Sequence, residues 1–149
     1  FFLTFLPTFI IVALVTHGAI HIGINLVFFV MSVVMAIIIN YSIDFIVGTI
    51  CLYTESIWGI NIMKQVIVLL LSGATIPLAF FPDAFRKVLE YLPFQSIYNA
   101  PLSILLEIEP EPEKMLYTLG VQLLWCVVMT VLSVLFWKTS LRKITVNGG

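Results

Sequence analysis

"SGATIPLAFFPDAFRKVLEYLPFQ", residues 72–95, decides how this chain is put together. It sets Pro77, Pro82 and Pro93, with the charges Asp83, Arg86, Lys87 and Glu90, in the middle of an otherwise almost unbroken apolar sequence. Pro82 and Pro93 bracket "DAFRKVLEYL", and Asp83 is suited to cap a helix or to place an anion in its first turn. Phe85, Val88, Leu89 and Leu92 fall at i, i+3, i+4 and i+7, while Arg86, Lys87 and Glu90 take the other side. Leu92 precedes a proline, which stops the helix there. About ten residues at 1.5 Å each give about 15 Å, too short for a hydrocarbon core of about 30 Å. "PFQSIYNAPLSILL" (93–106) then supplies a second apolar piece, again bounded by proline and again too short to cross and return. An amphipathic helix followed by such a piece reads as a helical hairpin over residues 81–104 that dips into the outer leaflet. An ordinary surface loop would leave that apolar run poorly solvated.

Composition fixes the surroundings. The chain has 149 residues, 61% of them hydrophobic and 10% charged, with a mean hydropathy of +1.14. Soluble domains hold about half apolar and a quarter charged residues, so this is an integral membrane protein. A net charge of −1 and the lack of a basic run weigh against nucleic acid as a partner. Cys51 and Cys126 stand alone in apolar runs, without metal or redox spacing, and read as packing residues. The sequence starts on Phe1 and turns apolar at once without a charged n-region, unlike a signal peptide. We read it as one transmembrane domain, residues 1–149, either the C-terminal part of a longer polypeptide or a chain lacking its N-terminus.

Charges and polar breaks divide the domain into four expected spans. Residues 1–43 carry no charge, and "THGAIHIGIN" (16–25) cuts that run. Span one is therefore about 1–16, with Pro7 tolerated inside a membrane helix. Span two is about 24–53 and long enough to tilt or project. "TESIWGINIMK" (54–64) is the next break, with Trp58 suited to the interface. Span three is expected over 61–80, followed by the hairpin and the acidic "EIEPEPEK" (107–114). Span four is 115–137, which is free of charge, and the basic tail is "KTSLRKITVNGG". The fold class is all-α, with about four membrane helices and an extracellular re-entrant hairpin between the last two. Lys64, Lys138, Arg142 and Lys143 set residues 54–60 and 138–149 in the cytoplasm and residues 81–114 outside.

Little in the sequence is catalytic. No G-x-x-x-x-G-K-[ST] occurs, since Ile24 follows Gly18 and Gly23, so the chain does not hydrolyse ATP by itself. "HGAIH" aligns His17 and His21 on one helix face without the Glu of H-E-x-x-H, and reads as a polar loop end, not a metal site. No G-x-S-x-G appears, and neither a catalytic residue nor a cofactor is expected. Asp44 in "NYSIDF" stands apart, because a carboxylate within a membrane helix is costly and faces a polar interior. With Asn40 one turn away it is a candidate for the translocation path, or for an interhelical hydrogen-bonding group. Ser72, Gly73, Ala74 and Thr75 form a run of small residues near the outer end of span three. Such residues suit a tight helix contact or a narrow lining of the path.

These residues also carry a family likeness. Leu71-Ser72-Gly73-Ala74 leading to Pro77, then Phe81-Pro82, Arg86 and Leu92-Pro93-Phe94, carry most of it, and Gln122, Trp125, Gly148 and Gly149 add to it. The chain resembles the permease subunit of type-2 ABC transporters, in the branch of bacterial antibiotic and multidrug exporters. The resemblance covers nearly the whole chain and implies six spans per permease, the last four being present here. It also implies a second permease chain, homo- or heterodimeric, separate ATPase subunits, and a multi-pass place in the bacterial cytoplasmic membrane. The first two spans and the coupling helix after them would be missing. The hairpin, with Pro77, Pro82, Arg86, Pro93 and Phe94, would cap the outer end of the path for an unidentified exported substrate. Span three with Ser72–Thr75 would line the cavity at the two-permease interface. The alternative is a small multi-pass scaffold or accessory protein without transport.

Overall fold

The computed structural model describes residues 24–54, 57–76, 80–106 and 111–147. Span one and its neighbours His17 and His21 lie outside the described residues, as does Pro77. All regular structure among the described residues is helical: α1 (Ile24–Ile50), α2 (Ile57–Leu71), α3 (Asp83–Glu90), α4 (Gln95–Leu106) and α5 (Pro112–Asn147). A short 3-10 turn, Cys51–Tyr53, extends α1.

Among the described residues two helices are long and apolar enough to cross a bilayer, over Asn25–Tyr53 and Pro112–Leu141. The second is longer than the charge-free run 115–137 suggests. Pro112 has no N–H to lose at a helix start, and its ring fixes a helical φ. Glu111 adds a carbonyl that accepts from Met115 N at 3.2 Å and a carboxylate 2.7 Å from Lys114 Nζ. No glycine or proline interrupts the chain between Val121 and Asn147, so the helix continues through the basic tail for 36 residues, about 54 Å.

Polar contacts set the relative direction of these two helices. Ser32 meets Gln122, the hydroxyls of Ser42 and Thr130 lie 3.5 Å apart, and Tyr53 Oη donates to Ser140 O at 3.1 Å. Both residue numbers rise together, so α1 and α5 run parallel. Their starts share one side and Tyr53 and Ser140 the other. Phe45 meets Trp137 edge-on, with centroids 5.6 Å apart, on the Tyr53 side.

The chain between them must therefore make one net return. α2 begins it, antiparallel to α1, with Lys64 at Asp44 and Val68 packed beside Ile39 and Ile43. At 15 residues, about 22 Å, α2 is shorter than a full crossing. Span three is corrected here: its helix starts at Ile57, inside the expected polar break, and stops at Leu71 instead of 80. The cause is Gly73, whose φ of 78° is a left-handed conformation that ends helices cheaply only at glycine. Ser72 N still bonds Val68 O at 3.0 Å, and Ala74 N donates to Ser72 Oγ at 3.4 Å.

Residues 83–106 form two short helices joined by the turn 91–94. α3 starts as the sequence suggests, although Pro82 is the cap and its carbonyl accepts from Phe85 N and Arg86 N, both at 2.9 Å. Asp83 stands in the first turn and makes no side-chain cap bond. α4 runs antiparallel to α1. Phe94 and Ile97 pack with Ile39, Ile43 and Val47, whereas Ile104 packs with Met115, Leu119 and Phe28. The turn thus sits beside the middle of α1, about 25 Å along from its start.

One side chain joins all three packed helices. Gln122 is fully buried, its Oε1 accepts from Ser32 Oγ at 2.7 Å, and its Nε2 donates to Ser32 O at 3.0 Å and Ser96 O at 2.7 Å. Its amide has no better alternative in an apolar interior, where an unmade bond strands a dipole.

Two stability changes follow from this packing. Gln122→Leu keeps the bulk and removes three bonds, and should cost about 2 kcal/mol, read as a lower thermal midpoint in detergent. Ser32→Ala, which deletes one bond and leaves the carbonyl contact, should cost less than half of that; equal losses would mean that packing volume, not hydrogen bonding, dominates. Gly73→Ala should cost about 1 kcal/mol through its left-handed φ, and Gly73→Asn less.

Candidate functional site

The polar group with the strongest claim to function lies in α1, on the Tyr53 side of its middle. Asp44 faces α2, where Lys64 Nζ forms an ion pair with Oδ1, while Asn40 Nδ2 donates to Oδ2 at 3.3 Å. Helix spacing explains the cluster. Asn40 and Asp44 are one turn apart on α1, and Asp44 and Lys64 stand equally far on either side of Thr54, where the chain reverses. Two antiparallel helices joined by a short turn bring such positions face to face. A charged pair inside an apolar span is the arrangement that makes both charges tolerable.

Exposure differs between the two partners. The Lys64 side chain is 15% exposed and the Asp44 side chain 44%. Lys64 is thus wrapped by the helices, while the carboxylate keeps an open flank. That flank is a hollow of about 320 Å³ lined by Tyr41, Asp44, Phe45, Gly48, Leu52 and Trp137. On the other side of the pair lies a hollow of about 410 Å³ that includes Asn40, Lys64, Gln65 and Tyr98. Asp44 was foreseen as a candidate, but its lysine partner was not. The equal spacing of Asp44 and Lys64 about Thr54 was the available signal.

The small-residue run occupies a different place. Ser72 is buried at the end of α2, Gly73 makes the left-handed turn, and Ala74 and Thr75 are exposed beyond it. Ser72 is about 12 Å along α2 from Lys64, so these residues and Asp44 are not one constellation. Of the hairpin residues, Pro82 caps α3, and Arg86 bridges Asp83 at 3.4 Å and Glu90 at 3.5 Å on the same helix. Pro93 is buried and Phe94 half-buried in the turn that enters the core.

A further cleft of about 460 Å³ separates the two short helices from α5, and Glu90, Gln95, Asn99, Ser103, Tyr117 and Thr118 are among its lining. Its polar groups are partly spent on one another: Gln95 Nε2 donates to Glu90 O at 3.1 Å and Asn99 Nδ2 to Gln95 Oε1 at 3.4 Å. Nothing in the sequence reading singled it out, because Gln95, Asn99 and Ser103 form a helical stripe only once α4 is known to be a helix.

Comparison with known proteins gives one match. The family model described as ABC-2 family transporter protein covers residues 1–148. No curated protein and no solved structure matches the chain.

The ion pair can be tested by reversal. Asp44→Asn or Lys64→Gln alone should weaken the docking of α2 on α1 by about 1 kcal/mol. A disulfide between cysteines placed at 47 and 60, which border one hollow between these helices, should then form severalfold less readily. The double variant Asp44→Lys with Lys64→Asp should restore it. An unchanged yield in the single variants would show that apolar contacts alone dock α2.

Proposed function

The chain belongs to the ABC-2 transporter family, and from that premise we propose that it is the membrane-spanning permease subunit of an ABC exporter. In this reading it forms a translocation path with a second permease chain and is driven by ATPase subunits in separate polypeptides. The observation that carries the reading is the family match over residues 1–148, which includes every described helix.

The fold supports the reading in two ways. Parallel α1 and α5 leave the Tyr53 and Ser140 ends together on one side, the side that carries Lys138 and the basic tail. Basic residues mark the cytoplasmic side, so residues 54–60 and 138–149 face the cytoplasm and residues 81–114 the outside. The α3–α4 pair then enters from the outer side, turns at Pro93 and Phe94, and returns as α4 toward the start of α5. It is a re-entrant hairpin, and backbone buried at such depth is tolerated where protein surrounds it. The small residues Ser72–Thr75 lie at the root of this hairpin, at the path or at the permease interface.

The path itself is built from parts of unequal firmness. α1, α4 and α5 share the buried amide and both apolar clusters, whereas α2 adds Val68 as its buried apolar residue and the Lys64 pair. A transporter needs one rigid body and one that can shift, and α2 is the element with fewer contacts to break.

Two measurements test the proposal. Affinity purification of the tagged chain from its native membrane should bring down an ATPase subunit, and ATP turnover should change when the chain is removed. Recovery of the chain without any ATPase would favour a scaffold role. In a background lacking Cys51 and Cys126, a cysteine at 112 should react with an impermeant reagent from outside, and one at 58 from the cytoplasmic side; the opposite pattern would invert the topology.

A further inference from the structure

Asp44 has aromatic neighbours on its open side. Tyr41 and Phe45 flank it on α1 with ring centroids 6.4 Å apart, and Phe45 meets Trp137 of α5 at 5.6 Å. The hollow they share with Gly48 and Leu52 holds about 320 Å³, enough for a compact organic molecule. Gly48 contributes space, since a Cβ built there would meet nothing within 4 Å. The walls are apolar and π-rich, and the charged group among them is the Asp44 carboxylate, which Lys64 shares from the far side.

We propose that this hollow binds an amphipathic organic cation, with Asp44 as its counter-ion, Tyr41, Phe45 and Trp137 as its aromatic walls, and Lys64 as the resident cation that it displaces. The inference rests on the permease reading and names the class of substrate for it. Two observations and one physical principle support it. The carboxylate is 44% exposed while its lysine partner is 15% exposed, so a second cation has access to Asp44 from the side away from Lys64. Aromatic faces attract cations most strongly when water is excluded, and a delocalised or alkylated cation loses less hydration than an ammonium on entering. The hollow is about 14 Å from the Tyr53 end of α1, in the half of the span nearer the basic tail. An amphipathic cation dissolved in the cytoplasmic leaflet reaches that depth without crossing the bilayer.

Lys64 gives the site a way to empty. With no ligand the pair is closed and Asp44 is compensated; with the cation bound, Lys64 is released and α2 is held by Val68 and its apolar neighbours. Binding and loosening of α2 on α1 are thereby coupled, because both compete for one carboxylate.

Radiolabelled tetraphenylphosphonium is the probe, titrated on the chain purified with its associated subunits in lipid nanodiscs. Saturable binding is expected. Asp44→Asn should weaken it at least tenfold, Asp44→Glu should retain most of it, and Trp137→Leu should weaken it severalfold. Lys64→Gln should tighten it severalfold by removing the competitor, whereas a lysine that merely holds the site together would make the same variant bind more weakly. That opposite sign keeps the test decisive even where Asp44→Asn fails to purify. Equal displacement of the probe by neutral triphenylphosphine oxide, or binding indifferent to Asp44→Asn, would overturn the proposal. The readout is binding and not turnover: tight, Asp44-dependent binding by a chain that recovers no ATPase would sink the permease reading alone. An ATPase-coupled chain that ignores the probe would sink the cation site alone.

Discussion

The mutual placement of α1, α4 and α5 depends first on the carboxamide of Gln122. A glutamine can accept and donate at once, and here both capacities are used within one small volume: the oxygen takes the Ser32 hydroxyl, and the nitrogen serves the carbonyls of Ser32 and Ser96. Apolar contacts between helices have little directional preference in lipid, where hydrocarbon surrounds every face. The amide supplies the missing direction. It fixes the rotation of α5 toward α1 and selects the depth at which α4 begins. Ile39, Ile97 and Ile104 then pack around a geometry that the polar group has already chosen.

The remaining buried polar groups are smaller versions of the same device. Ser42 and Thr49 return their hydroxyls to carbonyls one turn earlier, at 2.8 Å each, so they add little beyond a close approach of the backbone. Asp44 and Lys64 carry full charges instead of dipoles and join the more loosely held α2. The molecule thus has a neutral, buried polar knot near its centre, in which every donor and acceptor of the Gln122 amide is used, and a charged, partly open one toward one end. The first suits permanence. The second suits exchange.

Much of this was legible in the residues. The long helix α1 and the charge-free heart of α5 follow from uninterrupted apolar runs, and the paired short helices follow from Pro82, Pro93 and the Phe85–Leu92 stripe. The end of α2 was misjudged because Ser72, Gly73 and Ala74 are ordinary in membrane helices. Only the left-handed φ at Gly73, which the residue types do not reveal, distinguishes a helix stop from a helix contact there. The extension of α5 through Lys138 was missed because charge marks where the bilayer ends and not where a helix ends. Gln122 was noted as part of a family signature, but its role needs three helices at once, and no spacing within one helix reveals that. Asp44 was visible as an unusual charge, while its aromatic surroundings depend on Trp137, far away in sequence.

The uninterrupted length of α5 has a mechanical meaning. A single helix of 36 residues behaves as a stiff rod of about 54 Å, and a tilt of about one degree moves one end by about 1 Å relative to the other. Its far end carries the basic residues, and Gln122 near its start grips the first turn of α4. A sideways push at the basic end therefore arrives at the turn of the short helices as leverage, with no flexible joint in the described helix to absorb it. In such a lever the glutamine is the fulcrum pin.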